Sequence, residues 1–330
     1  MKTKRLDMYD CVASQIQARG LRSVTDANET AVFARELEHI QAGVIEKKFP
    51  ALVGAQLVPI QGGAIFPGAR SHTYREIETW GEADLLEEFS LDDFPSAEAR
   101  GTETTGKFRS FGAKYSYSFE ELRARPSMSW DPTQKKEQAA RRAMEEKLDK
   151  LLFDGVTGVF TGILNDSASQ DDTTSAGTPD FVTGVEATDV ATILNTFRTM
   201  VNNARIATKG VYNEFDFVVS LKISTLLNLW VPATTAGGGT SVGQFLINNV
   251  QGVRSITASN RNDGAGASGK DRILAFPRDP EVLDALLPVR FEQFAPQLNG
   301  MVFVTPCHGK YGGIRIFQPL AIRRCDVTVS

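Results

Sequence analysis

Asp131-Pro132 opens the segment that most restricts how this chain can fold. An aspartate side chain can accept hydrogen bonds from the free N–H groups of a helix start. A proline just inside that start lacks only an N–H that would have no helical partner. From residue 132 to about 154 no breaker intervenes, and Gly155 supplies a stop. Ala140, Met144, Leu148 and Leu151 recur at steps of four, four and three, so they share one face. Glu137 with Arg141, and Glu146 with Lys150, lie one turn apart and add modest support. At 1.5 Å per residue the helix is roughly 33 Å long. Its other faces are charged, so it reads as a long strut with one buried seam.

The segments around the strut differ in character. Residues 1–25 hold five basic and two acidic side chains and read as a mobile arm. A helix is expected at 28–48, with Phe33, Leu37, Ile40 and Val44 on one face and Phe49-Pro50 as its stop. Residues 51–69 are apolar and rich in Gly and Pro, which predicts extended chain. Residues 70–106 hold ten acidic side chains against three basic ones, a balance of −7. Such a segment buries itself poorly and is expected to project as an acidic hairpin. Residues 108–119 alternate apolar and polar, as a strand does.

After a loop at 166–180, a mixed unit is predicted. It has a helix at 188–205 (Val190, Leu194, Phe197 and Val201 inward), a strand at 215–220 and a short helix at 224–230. A glycine-rich loop at 234–240 and a helix at 241–250 follow. Strands are expected at 254–259, 271–276, 289–294, 301–305 and 313–328. The unit is α+β without strict βαβ alternation. No solenoid-period repeat is present.

Composition excludes several classes. The chain has 330 residues, 42% hydrophobic and 23% charged, an ordinary globular balance. A net charge of −4 argues against a dedicated nucleic-acid binder. Cys11, Cys307 and Cys325 form no CxxC pair and no metal spacing, which fits free thiols in a reducing compartment. The first residues, Met-Lys-Thr-Lys-Arg, are followed by no apolar run of a signal peptide. No stretch approaches the ~20 apolar residues of a membrane span. A soluble protein made in a cytoplasm is expected.

Candidate chemistry is sparse. Gly264-Ala-Gly-Ala-Ser-Gly-Lys270 matches the phosphate loop GxxxxGK, but Asp271 stands where Ser or Thr should hold magnesium. A strand, not a helix, is predicted next, so a flexible loop is the plainer reading. His39 and His72 carry no partner motif. Cys307-His308 is an unlikely thiol–imidazole pair, because neighbours on a strand point to opposite sides. Glu87-Glu88, Asp92-Asp93 and Asp171-Asp172 lie in polar segments, where a solvated surface is the simpler explanation. Lys135, Lys136, Arg141 and Arg142 form a basic cluster, either a balanced solvated face or a weak, sequence-blind DNA contact. No catalytic, cofactor-binding or metal site is assigned.

The order of parts and several motifs resemble the tailed-bacteriophage major capsid proteins with the Hong Kong 97-type fold. The stretches are Phe33-Ala-Arg-Glu-Leu-Glu-His-Ile40, Tyr115-Ser-Tyr-Ser-Phe-Glu-Glu-Leu122, Ala139-Ala-Arg-Arg-Ala-Met-Glu-Glu-Lys-Leu-Asp149, and Phe153-Asp-Gly155 with Phe160-Thr-Gly-Ile-Leu-Asn165. The resemblance spans roughly residues 30–328. It implies an N-terminal arm at 1–50, a peripheral domain at 51–64 and 119–184 with its spine helix at 132–154, and an extended loop at 65–118. It further implies an axial domain at 185–300 and C-terminal peripheral strands at 301–330.

The same resemblance implies a virion protein, assembled in the host cytoplasm. Hexamers and pentamers of it would form an icosahedral shell around double-stranded DNA, with scaffold, portal and decoration proteins as possible partners. The extended loop would lie over a neighbouring subunit. Lys107 and Lys114 sit only at its base, so a lysine crosslink is not carried over. Inter-subunit contact is expected from Phe89, Leu91, Asp92, Asp93 and Phe94, against basic Lys310, Arg315, Arg323 and Arg324 of a neighbour. The competing readings are an encapsulin-like nanocompartment shell and a nucleotide-using enzyme built on the 264–270 loop.

Overall fold

The computed structural model describes residues 48–63, 65–82, 96–127, 131–173, 179–181, 187–229 and 239–329. The arm, the helix expected at 28–48 and most of the 234–240 loop lie outside the described residues. The chain divides into two units, Met1–Phe49 and Pro50–Ser330, and every described element belongs to the second.

That unit begins with one turn of helix, α1 (Gly54–Leu57), and a short strand, β1 (Ile60–Gln61). Strands β2 (Ser71–Trp80) and β3 (Glu98–Lys107) form an antiparallel ribbon, followed by β4 (Arg109–Ser118). Helix α2 (Phe119–Ala124) leads to the strut, α3 (Pro132–Phe153). A tight hairpin of β5 (Gly155–Val156) and β6 (Phe160–Thr161) follows, then β7 (Gln170–Asp171) and β8 (Asp180–Phe181). The mixed unit holds α4 (Ala187–Ala207), β9 (Phe215–Val219), α5 (Leu221–Leu226), α6 (Val242–Asn249), β10 (Val253–Ala258) and β11 (Asp271–Phe276). The chain closes with β12 (Leu283–Leu286), β13 (Val289–Gln293), β14 (Gln297–Asn299), β15 (Val302–Tyr311), β16 (Ile314–Ile316) and β17 (Arg323–Val329).

The strut forms as its sequence dictates. Asp131 accepts from the Thr133 N–H at 3.0 Å and Gln134 N–H at 3.5 Å, and the helix runs 22 residues. Ala140, Met144, Leu148 and Leu151 are buried, and the seam widens at the far end to take in Asp149, Leu152 and Phe153. The widening reflects two different neighbours. The first half lies on a single sheet, where Ala140 and Met144 meet Tyr115 of β4 and Cys307 of β15. The second half enters a junction of several elements.

That junction is one side of the central sheet, ordered β10-β9-β11-β17-β7. Strand alternation divides its residues. Phe215, Phe217, Val219, Ile273, Ala275, Cys325 and Val327 face α4, α5 and α6. Val218, Leu274 and Phe276 face the other way, onto Leu148, Leu151, Leu152 and Phe153 of the strut. Each such side chain contributes about 1.5–3 kcal/mol of burial. One helix therefore ties two sheets together.

Four departures from the sequence reading have local causes. Residues 54–57 turn helical where extended chain was expected, because the Gly54 N–H donates to the buried Asp149 carboxylate at 2.9 Å. A Cβ at position 54 would sit 2.9 Å from that oxygen, so glycine permits the approach. Helix α5 starts three residues early, since the Ser220 hydroxyl caps it by accepting from the Ile223 N–H. Strand β12 was missed because Asp284 interrupts its apolar run, although Asp284 is fully buried against Arg315. The segment 313–328 is broken by a one-turn helix at Pro319–Ala321.

Strand β15 runs past its expected end, through Pro306. On one edge it pairs with β4 throughout; on the other, β14 covers residues 302–304 and β13 covers 307–310. The Pro306 carbonyl accepts from Phe294 on that second edge. The missing N–H thus points into the gap between two partner strands, where its cost is small.

Asp149 also accepts from Arg261 Nε at 3.2 Å. Asp149→Ala leaves a buried N–H and a guanidinium without their partner and should cost about 3–5 kcal/mol. Lys150→Ala, one residue on but exposed, should stay within about 0.5 kcal/mol. Denaturant midpoints of the two variants check the contrast.

Candidate assembly interface

Most residues of the β2–β3 ribbon are exposed. Its ten pairs run in unbroken register from Ser71↔Lys107 to Trp80↔Glu98. His72, Tyr74 and Glu76 are half-buried against the body, and from Ile77 outward every residue of β2 is exposed. Ile77 is 73% exposed and Trp80 49%. A two-stranded ribbon is marginal alone in water, so its root carries the anchoring.

The root is a stack of rings and cations. The His72 ring lies 5.1 Å from that of Phe108, and Tyr74 meets Phe317 edge-on at 5.4 Å. The Arg315 guanidinium sits 5.4 Å from the Tyr74 ring and 5.2 Å from Phe317, oriented by a two-pronged ion pair with Asp284. Lys310 donates to the Pro67 carbonyl at 2.8 Å and lies 5.7 Å from the Phe108 ring. Gly106, opposite His72, lets the ring lie flat on the ribbon: a Cβ there would stand 2.3 Å from the imidazole, which would have to shift. Burial, then the nearby positive Arg315, push the His72 imidazole below its ordinary range, while Asp284 opposes them.

The expected contact residues fare unequally. Phe89, Leu91, Asp92, Asp93 and Phe94 lie outside the described residues. Of the basic group, three serve inside the subunit instead of forming a free cationic surface. Arg315 holds buried Asp284. Arg323 is buried, reaching Asp172 at 3.3 Å and the Asn203 carbonyl at 2.8 Å. Arg324 donates to the Asp166 carbonyl at 2.9 Å and lies 3.6 Å from Asp171. Lys310 sits at the ribbon root. For Arg315 and Arg323 the physical reason is shared: the buried carboxylates of Asp284 and Asp172 need cations more than a surface does.

The cluster on the strut is also partly committed. Lys136 bonds the Glu121 carboxylate at 2.8 Å and the Ser116 carbonyl at 2.9 Å. Arg142 bonds Glu146 at 2.9 Å and the Pro50 carbonyl at 2.8 Å. Arg141 is exposed, with its guanidinium 4.7 Å from the Phe291 ring. Lys135 is half-buried in the first turn.

The 264–270 loop has no vacancy for a phosphate. The Gly264 N–H donates to Asp271 at 2.8 Å, the Gly266 N–H to the Lys270 carbonyl at 2.7 Å, and the Ala267 N–H to Asp326 at 2.8 Å. Two of the chain's own carboxylates and a backbone carbonyl take the donors a phosphate needs, and strand β11 follows directly. Burial alone would raise the Asp326 carboxyl, but bonds from Arg272 and Ala267 hold it below the usual range. Cys307 is buried towards the strut, and burial raises its thiol; His308 faces the other way, 3.1 Å from the Ser110 hydroxyl. Asp172, expected in a solvated pair, is instead buried between Arg323 and Asn203, and burial raises its carboxyl. His39, Glu87 and Glu88 lie outside the described residues.

A family model described as major capsid protein matches residues 81–327. The chain belongs to the major capsid protein family. This capsid protein also shares its fold with solved phage shells. It aligns with the capsid of Myoviridae phage XM1 at a TM-score of 0.72 and 15% identity, covering 90% of this chain and 98% of that one. Mycobacterium phage Ogopogo gives 0.60 at 12% identity, covering 90% and 99%. A virus-like particle from Pyrococcus furiosus gives 0.51 at 13% identity, covering 82% and 90%. A comparison with curated proteins found no match. The architecture is α+β, the Hong Kong 97-type fold.

Sequence reasoning missed the ribbon's anchors, His72 and Tyr74, and the exposed Trp80 beyond them on the same side. Their signal is the two-residue alternation of 72, 74, 76, 78 and 80, which the charge count of the segment obscured. The capsid protein's ribbon root should respond to pH through His72. Its neutral form is favoured when docked, so the root is at full strength above about pH 6.5. It weakens as the pH falls below that value, because the undocked imidazole takes up a proton first. Proteolysis within residues 81–97 should accelerate from about pH 7.5 to about pH 5.5, and His72→Phe should flatten the dependence. An unaltered profile in that variant would count against the assignment.

Proposed function

We propose that this capsid protein assembles as hexamers and pentamers into an icosahedral shell enclosing the double-stranded DNA of a tailed phage. The observation that carries the reading is the β2–β3 ribbon. In a member of this family, a ribbon of ten paired positions runs from an anchored root out into solvent, and its first strand ends on an exposed tryptophan. Such a surface gains from being covered, and a second copy of the chain is the cover this family supplies.

In this reading the ribbon is the extended loop, at about 65–118, and α3 is the spine. The axial domain is the unit around α4, β9, β10 and β11. Strands β13 and β14 pair with β15 and not with that sheet, which favours ending the axial domain near residue 277 and not 300. Residues 89–94 remain the proposed contact segment. The protein acts without catalysis, in the virion, after assembly in the host cytoplasm. Scaffold, portal and decoration proteins are its further partners. Contact with packaged DNA by Lys135, Lys136, Arg141 and Arg142 would be weak and salt-sensitive, since Lys136 and Arg142 already hold carboxylates.

Negative-stain micrographs of the purified protein should show round shells of uniform size. DNA-filled heads support the phage reading; shells filled with protein cargo would move it to a nanocompartment. Deleting residues 80–104 should leave folded subunits that no longer form shells. Normal shells from that variant would remove the ribbon from the mechanism.

A further inference from the structure

A groove runs beside the middle of the strut, between α3 and β13. It encloses about 480 Å³ and is lined by Arg141, Met144, Glu145, Leu148, Arg290 and Phe291. Its floor is apolar: Met144 and Leu148 come from the seam of the strut, and Phe291 from the facing strand. Its rim is cationic. Arg141 lies over Phe291, and Arg290 reaches Glu145 only at 3.9 Å, with both side chains about half exposed. A loose exposed pair of this kind is worth little and can exchange partners.

The distal ribbon carries the complementary chemistry. Trp80 lies on the same side of β2 as His72 and Tyr74, by strand alternation. Its cross-strand partner is Glu98, and Glu78 precedes it on that side, opposite Arg100. An indole flanked by carboxylates matches an apolar floor edged by two arginines. Tryptophan and arginine are the side chains most often found at the energetic centre of an interface. Within one chain the two surfaces do not meet: Trp80 stays 49% exposed and the groove stays open.

We propose that the groove beside α3 receives Trp80 of a neighbouring copy, with Glu98 and Glu78 of that copy facing Arg290 and Arg141. The proposal rests on the reading of the ribbon as the element that lies over a neighbour. It adds where the ribbon lands. It also replaces the expected docking cations: Arg315, Arg323 and Arg324 are spent inside the subunit, whereas Arg290 and Arg141 remain at an open rim. Docked this way, Arg141 turns towards the neighbouring subunit and away from DNA.

The test uses the full chain and reads the subunit concentration at which shells form, by light scattering. Trp80→Ala should raise it about tenfold or more. Arg290→Glu and Glu98→Arg should each raise it, and the two together should restore assembly towards the original level. A Glu98→Cys, Arg290→Cys protein should form a disulfide between subunits in shells, seen as a ladder on a non-reducing gel. The cysteine pair keeps the question open to an answer if a charge reversal disturbs folding. Absence of both the restoration and the ladder overturns the proposal. If deletion of residues 80–104 abolishes shells while Trp80→Ala and Arg290→Glu assemble normally, the ribbon reading stands and the groove fails. If the deletion variant also assembles normally, both fail.

Discussion

The continuous burial of one face of α3 is the constraint on which the rest of the second unit depends. Its first half holds the sheet of β4 and β15, and its second half holds the central sheet. Tyr311 of β15 also reaches the core formed by Val218, Leu274 and Phe276 of the central sheet, beside the end of the helix. Near the end of the second half, Asp149 gathers the Gly54 N–H and the Arg261 guanidinium. The incoming chain and the mixed unit are thus fixed to the same turn of helix. Small errors in helix phase would misplace both at once, which explains why the capped start and the glycine stop both matter.

Charge is used in two separate ways. Inside the body, carboxylates lie buried and each recruits an arginine: Asp284 with Arg315, Asp326 with Arg272, Asp172 with Arg323. These pairs set register between distant strands; removing one partner is costly, while the net value of an intact pair is modest. Outside, the ribbon keeps its acidic residues solvated, with Arg75 and Glu103 paired across the strands. The family therefore cannot be read from net charge, because most of the strong electrostatics is internal.

The strut, the α4 helix and strands β4, β9 and β11 were legible in the sequence, because their periodicity agrees with where they are buried. Strand β12 was not, since a fully buried strand with an aspartate at its centre looks like a polar interruption until Arg315 is placed beside it. Helix α1 depends on Asp149, 95 residues away. The contact surface was half legible. The acidic run announced a projection, but the rings that anchor and end it are single residues in a charged background. The internal roles of Arg315 and Arg323 were not legible, because sequence does not say which cations face a buried carboxylate.

The proline in β15 has a mechanical meaning. At residue 306 the ladder on one edge passes from β14 to β13 without a shared rung, while β4 runs unbroken along the other edge. The sheet is therefore like a strip scored on one side and stitched once across the score: the Phe294 N–H, from the link between β13 and β14, donates to the Pro306 carbonyl at 3.0 Å.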